Sequence, residues 1–377
     1  MSINPSEMPK IGFGLMRLPE KDGSIDIEQV SKMADIYMAA GFNYFDTAYV
    51  YHGGNSEKAV KKAIVERYPR DSFTIATKLP AWFIHSLEDR DKVFEEQLER
   101  CGVDYFDFYL LHSLEDGKNY DTYEKFDCFN WGIKKREEGK IKHFGFSFHG
   151  TPELLVQVLD KHPEIEFVQI QLNYADWDNK IVHSGELYEI LRDRNVPMII
   201  MEPAKGGKLA NLDDECKEIL QGIRPDKSMA SWAFRYVGSL PGIATILSGM
   251  STPEQMEDNM KTFTDFEPLS EEELEAIDKV KEILNRVELA GCTACKYCVE
   301  GCPMGISIPD VISAVNTKRK FPGDMRPQFF YNGLVDRYSH ASDCIACGQC
   351  EGVCPQHLPI ISLMQEAVEK FETENRE

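Results

Sequence analysis

Eight short apolar runs punctuate the chain as far as residue 249, and each is followed by a stretch in which apolar positions recur every three or four residues. The runs read as strands: "PKIGFGL" (9–15), "NYFDTA" (43–48), "FTIATK" (73–78), "FDFYLLH" (106–112), "HFGFSFH" (143–149), "FVQIQLN" (167–173), "PMIIMEP" (197–203) and "IATILSG" (243–249). The stretches between them read as helices, among them "EQVSKMADIYMAAG", "SEKAVKKAIVERY", "RDKVFEEQLERCG" and "TPELLVQVLDKH". The last opens with Thr151 as N-cap and Pro152 at the first helical position. Eight alternating β and α units predict an α/β fold, a (β/α)8 TIM barrel. One extra segment, "KDGSIDIEQV", predicts a small hairpin turning at Asp22-Gly23.

After "LSEEELEAIDKVKEILNRV" (269–287), a charged helix, the pattern changes. "CTACKYCVEGCP" (292–303) and "CIACGQCEGVCP" (344–355) are two complete C-x2-C-x2-C-x3-C-P runs. Paired zinc sites would leave the third cysteine of each run without a task. The spacing instead fits two [4Fe–4S] clusters, and in two-cluster ferredoxins the fourth cysteine of each run serves the other cluster. The expected ligand sets are Cys292, Cys295, Cys298 and Cys354 for one cluster, and Cys344, Cys347, Cys350 and Cys302 for the second. The segment between the runs is expected to be helical at its start and irregular later. Its "KRK" (318–320) offers a docking point for an acidic electron carrier, weighed against the plainer reading of a solvated helix end. The organisation expected is a barrel over 1–287 and a mainly helical, ferredoxin-like iron–sulfur domain over 288–377.

Composition narrows the partners. The 377 residues carry 63 acidic and 42 basic side chains, a formal charge of −21, so a basic face for nucleic acid is not expected. "MSINPSEMPKIGFG" has no basic and apolar leader pattern, and no apolar run approaches the ~20 residues a membrane span needs. Cysteines clustered as metal ligands in a long chain imply a reducing, cytoplasmic setting. Cys101, Cys128 and Cys216 are expected to be core residues.

Barrel enzymes work at the C-terminal ends of their strands. There the second strand ends near Asp46 with Tyr51 in its loop, the third at Lys78 and the fourth at His112. Any one of these alone reads better as a structural residue. Four ionisable types at neighbouring strand ends point to chemistry. Hydride reduction of a carbonyl leaves an alkoxide that needs a proton. A phenol is a poor acid at its ordinary pKa near ~10, which an adjacent ammonium lowers. Lys78 would do this for Tyr51, Asp46 would hold Lys78, and His112 would orient the substrate oxygen.

With "FDTAYVYHGGNSE" (45–57), "ATK" (76–78) and "YLLH" (109–112), these residues resemble the aldo-keto reductase superfamily over roughly residues 8–285. "GFGLMRLP", "MEPAKGGKL" and "LSGMSTPEQMEDN" add to the likeness. The resemblance implies Tyr51 as proton donor, with Asp46, Lys78 and His112 completing a tetrad. It also implies a nicotinamide cofactor laid over the barrel mouth. In that half the chain departs from the family. Ser147 is followed by Phe148 where Ser-Asn is common, and Met201 stands where a stacking Tyr is common. Gln169 matches the glutamine that contacts the carboxamide. From Gly249 to Asn259 there is no Lys or Arg, and Gln255 takes the place of the usual Arg. NADH is therefore expected over NADPH. Flavin is left open, because its sites on barrels have no dependable signature.

The leading expectation is an oxidoreductase interconverting a small carbonyl and an alcohol, its iron–sulfur domain passing electrons to or from a ferredoxin-like carrier. Two alternatives stand beside it: a ferredoxin-coupled one-electron reductase without nicotinamide, and a redox-sensing, cofactor-binding regulatory protein. The substrate is set by loops 79–90 and 113–120, with Trp82, Phe83, His149 and Trp177 as candidate lining residues.

Overall fold

The computed structural model describes residues 3–115 and 118–373. All eight expected strands form. They are β1 Ile11–Gly14, β2 Tyr44–Asp46, β3 Thr74–Pro80, β4 Phe106–Leu114, β5 Ile141–Phe148, β6 Phe167–Gln171, β7 Met198–Met201 and β8 Ile243–Ser248. They pair in parallel, each with its sequence neighbours, and β1 closes the barrel against β8 (Ile11 opposite Ile246) and β2 (Phe13 opposite Phe45).

The two-residue period of a strand sorts its side chains between two cores. Phe13, Phe45, Ile75, Tyr109, Phe146 and Ile170 face outward and join the large cluster beneath the helices. Tyr44, Ala76, Phe108, Leu110, Phe167 and Ile199 belong to a second cluster that fills the barrel lumen. Two positions beyond lumen residues Tyr44, Ala76 and Leu110 come Asp46, Lys78 and His112. The alternation that packs the lumen thus carries all three to its C-terminal mouth.

The hairpin forms between Glu20–Lys21 and Ser24–Ile25, and its turn residues Asp22 and Gly23 have φ of 52° and 75°, as a type I′ turn requires. Thr151 caps the helix Pro152–Lys161 by accepting from Leu154 N, an interaction worth about 1 kcal/mol. The helix expected over 56–68 is interrupted: Asn55–Val60 is α-helical and Lys61–Val65 is a π-turn.

The chain divides by its contacts into two compact units, Met1–Asp178 with Val182–Glu275, and Asn179–Ile181 with Ala276–Glu377. The helix Glu271–Leu284 runs through the position of that division. In the second unit each cysteine run leads through a one-turn helix (Tyr297–Glu300 or Gln349–Gly352) into a longer one (Ile308–Lys320 or Ile360–Phe371). The segment between the runs is more ordered than expected. After Phe321 a further helix, Arg326–Val335, packs through Tyr331, whose ring stacks on Phe371 at 4.9 Å and whose hydroxyl accepts from Ala341 N at 2.8 Å. Among the described residues no helix is long and apolar enough to cross a membrane.

Candidate active site

Lys78 is 1% exposed, and its ammonium donates to Asp46 Oδ1 and to the Thr47 carbonyl, each at 2.7 Å. Tyr51 opens the tight turn Tyr51–Gly54, and its ring centroid lies 4.9 Å from Lys78 Nζ. The His112 ring meets Tyr51 edge-on at 6.0 Å and leans on Trp82 at 5.4 Å. The four expected residues thus converge. Asp46 Oδ2, His112 Nδ1 and, across the mouth, Gln169 Oε1 are buried with no hydrogen-bond partner among the described residues, leaving polar valences for a ligand.

Burial opposes the charge on Lys78, but Asp46 and Tyr51 together outweigh it and the Lys78 pKa stands above its ordinary value. Burial raises the Asp46 carboxyl, Lys78 2.7 Å away pulls it back, and the net direction is upward. Burial, followed by the charge of Lys78, pushes His112 down to about 3, so the imidazole is neutral. Tyr51 corrects the sequence-based expectation. Lys78 does favour phenolate, yet burial is the larger effect, Asp46 adds to it, and the net direction is upward. Without ligand the phenol keeps its proton.

Residues the sequence reading passed over hold this arrangement from behind. Thr77 points outward, and its hydroxyl donates to the fully buried Glu57 at 2.7 Å. Gln97 Nε2 donates to Glu57 at 2.8 Å and approaches the Lys78 carbonyl at 3.1 Å. Ser56 joins Thr47 at 2.8 Å and donates to the Leu15 carbonyl at 2.9 Å, tying the loop after β2 to the one after β1. The visible signal was "NSE" directly after the Tyr51 turn, where a polar pair opens a helix beside a functional loop.

The expected cofactor residues divide into two groups. Ser147 and Gln169 sit opposite each other on β5 and β6, both buried, and Ser147 Oγ accepts from Ser113 N at 2.8 Å. Met201, half-buried, ends β7 opposite Gln171. Asn259 is buried and donates to Ser248 Oγ at 3.0 Å, which fixes it beneath the end of β8. Gly249 and Gln255 are exposed, and the Gln255 amide oxygen accepts from Ser251 N at 2.8 Å. A cation does reach this side, from an unexpected place. Arg17, in the loop after β1, passes beside Gly249 and pairs with Glu202 at 3.0 Å. Lys205 is buried and bound to Asp176 at 2.7 and 2.8 Å.

Of the candidate lining residues, Trp82 and Phe83 are exposed, His149 is half-buried, and Trp177 packs on Tyr188 and Tyr236. Positions 116 and 117 of the second loop lie outside the described residues.

In the second unit the cysteines gather as the crossed pattern expects. Cys292, Cys295, Cys298 and Cys354 line one hollow, and Cys302, Cys344, Cys347 and Cys350 line another. The two runs fold alike, residue for residue. Ala294 and Ala346 are left-handed (φ 54° in both), as are Lys296 and Gly348, and Gly305 and His357. Burial follows the same repeat, with Cys298 and Cys350 buried and Cys295 and Cys347 exposed. Among the described residues no three His, Cys, Asp or Glu side chains close on a single ion; a four-iron cage spreads its thiolates, one to each iron. The KRK run is consumed locally. Lys318 donates to the Asp324 carbonyl at 3.2 Å, Arg319 to Glu366 at 2.8 Å and Lys320 to Asn285, at the end of the helix Ile308–Lys320.

Residues 10–282 match the family model described as the aldo/keto reductase family. The chain belongs to the aldo-keto reductase family. Residues 291–358 match a 4Fe-4S dicluster domain, so this aldo-keto reductase is an oxidoreductase with an iron–sulfur module. Its barrel is similar to L-galactose dehydrogenase of Arabidopsis thaliana, at 26% identity over 74% of this chain and 91% of the plant protein. It is also 26% identical to a 9,11-endoperoxide prostaglandin H2 reductase of Trypanosoma cruzi, over 74% of this chain and 90% of the relative. Among solved structures, an aldo-keto reductase of Bacillus halodurans in its holo form superposes with a TM-score of 0.60 at 23% identity, covering 72% of this chain and 92% of that one. One from Klebsiella pneumoniae, in complex with NADPH, superposes at 0.58 and 23% identity over 73% and 91%. At these identities the structures bear on the barrel alone.

Proposed function

We propose that this aldo-keto reductase interconverts a small carbonyl and its alcohol at the mouth shared by Asp46, Lys78, Tyr51 and His112. The convergence of these four groups, with buried unpartnered polar atoms on Asp46, His112 and Gln169, is the observation that carries the reading. A nicotinamide cofactor held by Gln169, Ser147 and Asn259 beside Met201, Gly249 and Gln255 would supply or accept the hydride. As hydride reaches the carbonyl carbon, the C=O π electrons pass to oxygen. That oxygen takes the Tyr51 proton, and the remaining phenolate faces the Lys78 ammonium, itself held by Asp46. A neutral His112 can orient the oxygen without competing for the proton. A phenol that stays protonated when the site is empty suits the reductive direction.

For the second unit we propose electron exchange with a ferredoxin-like carrier. Each cysteine set has one exposed member, Cys295 or Cys347, which supports an approach to within electron-transfer range. The decisive experiment is Tyr51→Phe, assayed against a panel of carbonyls from 4-nitrobenzaldehyde to acetone. Turnover should fall by roughly 10²–10⁴-fold, the usual contribution of a general acid, with cofactor affinity within about twofold. Turnover equal to wild type would remove Tyr51 from the chemistry.

A further inference from the structure

His52, the residue next to Tyr51, holds a backbone conformation that side chains avoid. Its φ is 50° and its ψ 41°, and it begins three consecutive left-handed residues whose other members are Gly53 and Gly54. Glycine adopts this region freely, whereas a histidine is strained in it. The strain brings the ring to two partners on another element. The backbone N–H of Leu18 donates to His52 Nε2 at 3.1 Å, and His52 Nδ1 lies 2.9 Å from Glu20 Oε1 on the hairpin after β1. An amide N–H can only donate, so Nε2 carries no hydrogen. The remaining ring hydrogen is then on Nδ1 and is given to Glu20. The imidazole is mostly covered, while Glu20 is about half exposed.

The other edge of the same turn is already held. Arg100 donates to the Tyr49 carbonyl at 3.3 Å, and Asn55 closes back on the His52 carbonyl at 3.1 Å. The Leu18 side is joined to the turn through His52, and Leu18 itself is buried in the barrel's outer core. Resting on the reading of Tyr51 as proton donor, we propose that His52 is a positioning residue: a neutral imidazole strung between Leu18 and Glu20 that fixes the left-handed turn presenting the Tyr51 hydroxyl to Lys78 and His112. Nothing in the reaction requires His52 to touch substrate. Its effect passes through the placement of Tyr51, and should therefore appear in turnover and not in binding.

The test replaces His52 by glycine, which accepts the backbone angles without strain and removes the ring together with its Cβ. With 4-nitrobenzaldehyde and NADPH, kcat of His52→Gly should drop roughly 10- to 100-fold, the scale of a misplaced catalytic group. KM and the NADPH Kd should stay within about twofold. Glu20→Ala should give a smaller loss, and Glu20→Ala with His52→Gly together should match His52→Gly alone, because Glu20 acts through the ring. Amide exchange followed by mass spectrometry gives a readout independent of turnover: the segment containing Leu18 should exchange faster in His52→Gly. Wild-type kcat in His52→Gly, losses that add, a parallel rise of KM and Kd, or unchanged exchange at Leu18 would each overturn the role. Tyr51→Phe assayed beside these separates two failures. If it is as active as wild type, the proton-donor reading and this proposal both fall; if it is inactive while His52→Gly is fully active, only the positioning role falls.

Discussion

His112 makes an acid-sensitive residue out of one that does not titrate in the folded protein near neutrality. Burial, then Lys78, hold its imidazole at about 3 against an ordinary value of 6.5. Below pH 6.5 the unfolded chain takes up a proton that the folded chain refuses, so the unfolded state binds more protons and stability rises with pH in that window. The contribution of a neutral His112 is complete above 6.5 and erodes as pH falls from 6.5 toward 3. His112→Gln removes this dependence. Urea unfolding at pH 7.5 and 5.5 should show wild type losing more stability between the two than the variant does; equal losses would contradict the direction of the shift. Asp46, Lys78, Tyr51 and His112 were legible because strand ends in a barrel point to one mouth. The net direction at Tyr51 was not legible, since a sequence shows that an ammonium is near but not how much water has been excluded. Arg17 was missed for a related reason: it reaches the cofactor side from a loop that lies 185 positions before its partner Glu202.

The elements follow their local patterns where burial and period agree. The strands alternate between lumen and outer core, β8 shifting register between Ile243 and Thr245, and the hairpin turn needed only Asp-Gly. Arg326–Val335 escaped because Pro327, Gly333 and a run of aromatics argue against a helix, whereas Tyr331 packing on Phe371 settles it. Gly145 on β5 shows how little room the barrel wall has. A Cβ there would lie 2.3 Å from the Phe167 carbonyl oxygen of β6. Neither strand can shift without disturbing its other neighbour, so Gly145→Ala should cost at least about 2 kcal/mol, read as a lowered midpoint in thermal or urea unfolding. The helix Pro253–Thr264 bears on cofactor choice. It begins with Thr252 as cap and carries Glu254, Glu257 and Asp258, with no base from Gly249 to Asn259. The nearby Arg17 is already paired with Glu202. A 2′-phosphate needs cations, so NADH should bind at least as tightly as NADPH in an anaerobic titration. A tighter NADPH would show that Arg17 leaves Glu202 for the phosphate, and Arg17→Gln would then abolish the difference.

At the scale of the molecule, an aldo-keto reductase barrel shares one polypeptide with a 4Fe-4S dicluster domain. The second part is readable from the spacing of the cysteine runs alone, because thiolate geometry is dictated by the cage and not by the surrounding fold. Anaerobically purified protein should contain about eight iron and about eight acid-labile sulfide per chain, checked by iron and sulfide analysis; zinc without sulfide would contradict this.

Each hollow of the second unit draws three sulfurs from one run and its last from the other, Cys354 in the first and Cys302 in the second. Neither run can finish a cage by itself. Maturation of the domain is therefore expected to be cooperative. Installing the first cage would bring Cys302 and Cys354 to their places and preassemble the acceptor for the next, so half-filled chains should be scarce at every stage of reconstitution. Native mass spectrometry of protein given iron and sulfide for half its sites should show mostly empty and fully loaded chains. The replacement Cys354→Ala should deplete both cages, not one.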